Sequence, residues 1–170
     1  KTGQVIFEEV PDLEYSRFRK GFESILQKLV YSDTAKFFMR YGGRWTKPNK
    51  TPWKAKLGHI GATIIGKMPF LVPFFRWLEM FLFPDKIYDH YFTKYHPGLV
   101  FSTTVKAKRD IAILKSAKRF KVRNISMARS WDNLCRILIA TVPDKLIVQN
   151  EKMLELAEKY HQISKKDVFV

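Results

Sequence analysis

After Pro84 the chain alternates short apolar runs with amphipathic segments of helical length, and this rhythm constrains the fold more than any other feature. Residues 85–95 read as a helix, Pro97-Gly98 as a turn, and Leu99, Val100 and Phe101 as a strand ending in Ser102, Thr103 and Thr104. Residues 110–119 place Ile111, Leu114, Ala117 and Lys118 at helical spacing, and 122–127 form the next strand, with Ile125 and Met127 on one side. A loop over 128–133, a strand at Leu146, Ile147 and Val148, a helix over 151–160 and a final strand over 168–170 complete the pattern. Such alternation predicts βαβ units with right-handed crossovers and a parallel sheet. The expected fold class is α/β: a Rossmann-like open parallel sheet flanked by helices, with ligands at the carboxyl ends of its strands.

The first half is less regular. Val5, Ile6 and Phe7 predict a short strand over 4–10, broken by Pro11 and Asp12. Over 13–41, Phe18, Phe22, Ile25, Leu26, Leu29 and Val30 recur at helical spacing and call for one buried face, until Gly42-Gly43 stops the segment. Residues 44–58, with Trp45, Pro48, Pro52 and Trp53 among lysines and arginines, read as an exposed connection. Residues 60–83 are the most apolar stretch, but Lys67, Arg76 and Glu79 interrupt it and Pro69 and Pro73 break it. Two short amphipathic helices therefore fit better than a membrane span. Phe74, Phe75, Trp77 and Phe81 are expected either to face a lipid interface or to enter the core. Residues 1–170 thus read as one domain carrying a helical, basic and aromatic insertion over 43–84. An open α/β sheet normally begins with a strand, a loop and a helix at the ligand face. Nothing of that kind precedes Gln4, so the sheet is expected to be incomplete on its amino-terminal side and the chain to be a fragment.

Charge narrows the partners. Net charge is +15, and from Lys36 to Lys108 there are 13 lysines and arginines against only Glu79, Asp85 and Asp89. A basic block of this kind attracts nucleic acid, anionic lipid or phosphorylated substrates, or stands as a solvated basic face. Cys135 is the single cysteine, which excludes an internal disulfide and any multi-cysteine zinc site and suits a cytoplasmic setting. His59, His90, His96 and His161 show no metal spacing, so no metal site is expected. Gly42-Gly43 lacks the spacing of a phosphate-binding loop, and neither a GxSxG nor an HExxH motif occurs.

Three polar clusters follow the predicted strands: Ser102 to Thr104, Arg129 to Asn133, and Gln149 to Glu151. On adjacent strands they would form one polar rim. Within it Asp132 is the candidate general base, able to take a proton from an attacking hydroxyl, while Ser130 and Asn133 hold a sugar and Arg129 faces a phosphate. Asp132 beside Trp131 also suits a helix cap. Trp131, Thr103, Thr104, Asn150 and Glu151 are candidate substrate contacts, although Asn150 is equally a good N-cap, Glu151 suits a first helical turn, and Asp110 opens a helix.

The run Arg129, Ser130, Trp131, Asp132, Asn133, Leu134, followed by Pro143 to Leu146 and by Asn150-Glu151, resembles a segment of bacterial surface-polysaccharide glycosyltransferases of the two-Rossmann (GT-B) type. Tyr88-Asp89, Tyr95-His96-Pro97, Leu99-Val100-Phe101, Asp110 and the early run from Val5 to Pro11 also fit. The similarity is best over 85–170 and faint over 43–84, and Cys135, Arg136 and Ile137 stand where the family pattern has Thr or Ser and a Lys-Gly pair. The resemblance implies an amino-terminal, acceptor-side domain, with a nucleotide-sugar donor bound mainly by a second Rossmann domain after Val170. It implies no cofactor held by this domain and catalysis in the cleft between the two. The expected acceptor is a polysaccharide or a lipid-linked molecule, and the expected location is the inner face of the plasma membrane, with peripheral contact to anionic lipid. Transfer of a polyol phosphate is a neighbouring expectation. A non-catalytic domain gripping a membrane or nucleic acid through Trp45, Trp53, Trp77 and the basic block is the alternative from another class, with nucleic acid the weaker partner because no recognised motif for it is present.

Overall fold

The computed structural model describes residues 5–41, 68 and 70–170. Two helices open it, α1 (Arg17–Lys28) and α2 (Asp33–Tyr41), followed by α3 (Leu71–Leu82). A 3₁₀ turn (Lys86–Tyr88) leads into α4 (Asp89–Tyr95), β1 (Leu99–Ser102) and α5 (Lys108–Arg119). Then come β2 (Arg123–Met127), α6 (Asp132–Cys135), β3 (Lys145–Ile147), α7 (Glu151–His161), a second 3₁₀ turn (Lys165–Asp167) and β4 (Val168–Phe169). Among the described residues the fold is α/β: four parallel strands in the order β1-β2-β3-β4, flanked by helices, consistent with a Rossmann-like domain.

Register places Phe101 beside Ile125, and Ser102 beside Ser126. Met127 lies beside Ile147, which in turn faces Phe169. Alternate residues therefore share a face. Ser102, Asn124, Ser126, Leu146 and Val168 are buried, whereas Leu99, Phe101 and Phe169 on the other face are each more than half exposed. Asn124 and Asp144 lock the start of β2 to the start of β3. The Asn124 backbone N–H and side-chain amide both donate to Asp144 Oδ2, at 2.9 and 2.8 Å, and the Asp144 N–H returns a bond of 3.0 Å to Asn124 Oδ1.

Three expectations from the first half are corrected. Residues 5–10 carry no strand: this segment runs without regular structure, Glu8 binding Lys94 and Tyr95, and Tyr91 and Tyr88 donating to the carbonyls of Glu9 and Pro11. Its backbone meets side chains of α4 and its neighbourhood rather than a strand edge, and a lone apolar run has no ladder to join. Residues 13–41 resolve into two helices. Ser16 caps α1 by accepting the Arg19 N–H at 3.2 Å, and Ser32 accepts from Ala35 N at 2.9 Å to start α2. Pro73 does not break the apolar stretch. It falls in the first turn of α3, where no intrahelical donor is lost. Of the expected insertion, α3 is helical; the exposed connection over 44–58 and the stretch over 60–67 lie outside the described residues.

Among the described residues, two apolar clusters form the core. One joins Val105, Ala128, Leu134, Leu146, Met153 and Val168 under the sheet; the other joins Phe22, Leu26, Val30 and Val72 between the early helices. The segment after α6 stitches them, because Ile139 belongs to the first while Leu138 and Ala140 belong to the second. Its backbone is satisfied by side chains. Ile139 N–H donates to His161 Nδ1 at 3.1 Å, and Arg76 Nε donates to the Ile139 carbonyl at 3.0 Å. With Nδ1 accepting, the proton sits on Nε2, which donates to the Leu134 carbonyl at 2.8 Å.

A buried ionic knot joins α1, α3 and α5. Lys115, fully buried, places its three donors on Glu79 Oε1 (2.6 Å), Asp85 Oδ2 (2.8 Å) and the Phe83 carbonyl (2.6 Å). Arg19 meets the same two carboxylates, and its guanidinium stacks 3.6 Å from the Tyr15 ring centre. Two cations and two anions cancel, which is how charge survives away from water.

Candidate active site at the carboxyl edge of the sheet

β1, β2 and β3 are neighbours, so the polar segments that follow them converge on one edge. Ser102 Oγ and Ser126 Oγ both donate to the Thr104 carbonyl, at 2.7 and 3.2 Å, tying the loop after β1 to the end of β2. Gln149 Nε2 donates to the Arg129 carbonyl at 2.8 Å, tying the segment after β3 to the loop after β2. The rim expected from the sequence is thus one connected surface.

Asp132 lies at the end of the loop after β2, in the first turn of α6. The N-cap position falls on Trp131 and no side chain caps the helix, so capping is not what the carboxylate does. Ser130 Oγ donates to Asp132 Oδ1. Oδ2 lies 3.8 Å from Lys106 Nζ and 3.7 Å from Arg136 Nη1, and Lys106 Nζ also donates to the Asp132 carbonyl at 3.0 Å. Burial pushes the Lys106 ammonium below its ordinary range, with Asp132 opposing. Arg129 and Trp131 are exposed beside this carboxylate, and Asn133 is half-buried.

The remaining expected contacts divide. Thr103 is exposed on the rim, and Thr104 anchors it through its carbonyl while its hydroxyl accepts from Lys106 N at 3.3 Å. Asn150 Oδ1 accepts the Met153 N–H at 3.0 Å, so the N-cap role of Asn150 is real, and Glu151 lies exposed in the first turn of α7. Phe74, Trp77 and Phe81 are 50%, 59% and 68% exposed and form a stripe on α3, Trp77 and Phe81 stacking with centroids 5.5 Å apart. Phe75 turns the other way, against Phe22 in the core.

Lys106 and Arg136 flank Asp132 without having been expected from the sequence, whereas Asp110 sits in the first turn of α5, where an acid suits the helix start. Burial raises the half-buried Asp110 carboxyl, against a hydrogen bond with Ser102 and the charges of Arg109 and Arg129. Lys106 lies two residues past the Ser-Thr-Thr cluster, and its position in a strand-to-helix loop was the available signal. Arg136, which departs from the family pattern, lies four residues after Asp132 and pairs with it.

No family model, no curated protein and no solved structure matches this chain. The fold and site define it as an α/β domain with a parallel sheet of Rossmann-like type and a charged, hydrogen-bonded rim at the strand ends. No helix among the described residues is long and apolar enough to cross a membrane.

Proposed function

We propose that this is the acceptor-side domain of a glycosyltransferase of the two-Rossmann type, acting on a cell-envelope or capsule acceptor at an anionic membrane face. One observation carries the reading: a partly exposed carboxylate, Asp132, sits among Ser130, Lys106 and Arg136 at the edge where α/β sheets bind ligands. In the reaction an acceptor hydroxyl attacks the anomeric carbon of a nucleotide-sugar. The new C–O bond forms as the bond to the phosphate oxygen breaks, the hydroxyl proton passes to Asp132 Oδ2, and the electron pair leaves on the nucleoside diphosphate. Ser130 fixes the carboxylate, and Lys106, Arg129 and Arg136 supply positive charge for phosphate groups of donor or acceptor. The nucleotide itself would be held mainly by a second domain. A polyol-phosphate donor would use the same rim, with attack at phosphorus.

The aromatic stripe of α3 supports the membrane part of the reading. Phe74, Trp77 and Phe81 form an apolar face in a chain of net charge +15, the combination that binds anionic interfaces. The test is nucleotide release by the full-length protein, with native membranes as acceptor and a panel of activated sugars and polyols. Acceptor-dependent release from one donor, lost in Asp132→Asn, is expected. Absence of release from every donor, with membranes still bound, would leave a non-catalytic membrane-binding domain in its place.

A further inference from the structure

Lys106 also lines a partly enclosed cavity of about 70 Å³, several times the roughly 10–15 Å³ that one water requires. Its walls come from four places: Tyr15, Glu23 and Gln27 on and before α1, Glu79 of α3, Lys106 after β1, and apolar side chains such as Ile111 and Leu138. Two of the lining residues are buried with unmet hydrogen-bonding capacity. Tyr15 and Glu79 are only 5% and 4% exposed, yet the Tyr15 hydroxyl and Glu79 Oε2 have no hydrogen-bond partner among the described residues. Leaving such atoms unpaired costs stability, about 1–3 kcal/mol each, so their retention points to a ligand that pairs them.

We infer that this cavity binds the hydroxyl-bearing end of a neutral sugar or polyol, the Tyr15 hydroxyl and the carboxylates of Glu79 and Glu23 pairing with adjacent ligand hydroxyls. A hydroxyl both donates to a carboxylate and accepts from a phenol, so one diol answers both kinds of group. An ammonium ligand fits less well. Lys106 lines the cavity, Lys108 Nζ lies 4.8 Å from the Tyr15 ring centre, and Arg19 and Lys115 already neutralise Glu79. Burial raises the Glu23 carboxyl, against Arg19 and Lys108. Lys106 lines this cavity and also binds Asp132, so one side chain is shared by the two sites. Calling it the acceptor rests on the transferase reading; the binding itself does not.

The test is a donor-free titration of the full chain, followed by amide NMR, with glycerol and methyl α-glucoside as probes and propylammonium and 1-propanol as controls. Saturable polyol shifts at the Gln27 side-chain amide and Lys106 N–H are expected, with neither control matching them. Tyr15→Phe removes a hydroxyl that no described residue hydrogen-bonds, so it should leave the urea midpoint unchanged and weaken polyol binding about tenfold. Glu23→Gln serves as a second variant and should weaken binding in the same direction. Absence of saturable shifts, tighter binding of propylammonium, or polyol binding unaltered in Tyr15→Phe would each overturn the inference. Polyol binding without transferase activity would leave the cavity assignment standing and remove only the acceptor role. Asp132-dependent transfer without polyol binding would do the reverse.

Discussion

Lys106 Nζ donates to the Asp132 carbonyl at 3.0 Å and lies 3.8 Å from Oδ2 of the same residue, across 26 positions of sequence and between loops that leave different strands. The lysine thus braces the turn that presents the proposed base and contributes positive charge beside it. Lys106→Met should lower transfer and weaken the dependence of donor or acceptor affinity on salt, since one cation of the proposed phosphate contacts is gone. Asp132→Asn should cost about 10²–10⁴ in kcat with little change in fold stability. Steady-state kinetics at two ionic strengths separate the two effects; equal losses of kcat alone in both variants would contradict the division of roles.

His161 makes stability depend on pH in a defined direction. Burial lowers its pKa from the ordinary 6.5 to about 3, Arg76 and Lys106 adding to the effect and the bond to Leu134 opposing it. The folded form holds the ring neutral, so the unfolded chain binds the extra proton as pH falls below about 6.5. This contribution is complete above pH 6.5 and is lost progressively toward pH 3. By pH 5 the loss should reach ~2 kcal/mol. Urea midpoints from pH 5 to 8 should show this slope, and His161→Gln, less stable throughout, should show less of it.

The ionic knot predicts an asymmetric mutational response. Lys115→Met leaves Glu79 and Asp85 facing Arg19 alone in a buried setting and should cost ~3–5 kcal/mol in chemical denaturation. Adding Glu79→Gln to that variant should recover part of the loss, because one uncompensated charge disappears. A double variant no more stable than the single one would show that packing, rather than charge balance, governs the site.

The α3 stripe predicts membrane partition without a folding cost. Trp77→Ser and Phe81→Ser remove exposed rings worth ~1.5–3 kcal/mol each when fully buried, so each should weaken binding to anionic vesicles about tenfold or more. Trp77 should shift its emission to the blue on vesicles containing phosphatidylserine and not on neutral ones. Phe75→Ser should instead destabilise the fold, since that ring packs on Phe22. Vesicle binding unaltered by both stripe variants would remove the membrane from the functional reading.

Much of the second half was legible from local pattern. Leu99, Val100 and Phe101, the run through Met127, Leu146-Ile147 and Val168-Phe169 all became strands of a parallel sheet, because each is a short apolar run separated from the next by a segment of helical period. Asn150 declared its cap in the same way, through a side chain that bonds three residues on. Val5, Ile6 and Phe7 carry an equally apolar signal and form no strand, since pairing depends on an available edge and no local property reports one.

The sequence by itself determined the α/β class, the start of the last helix at Asn150, and the polar character of the strand ends, all of which follow from side chains interacting with backbone a few residues away. Only the tertiary structure decided that Lys106 and Arg136 flank Asp132, that Phe75 faces the core while Trp77 does not, and that Tyr15 and Glu79 share a cavity. These are meetings of residues distant in the chain, and they are selected by how the helices close over the sheet and by which charges must be paired once water is excluded.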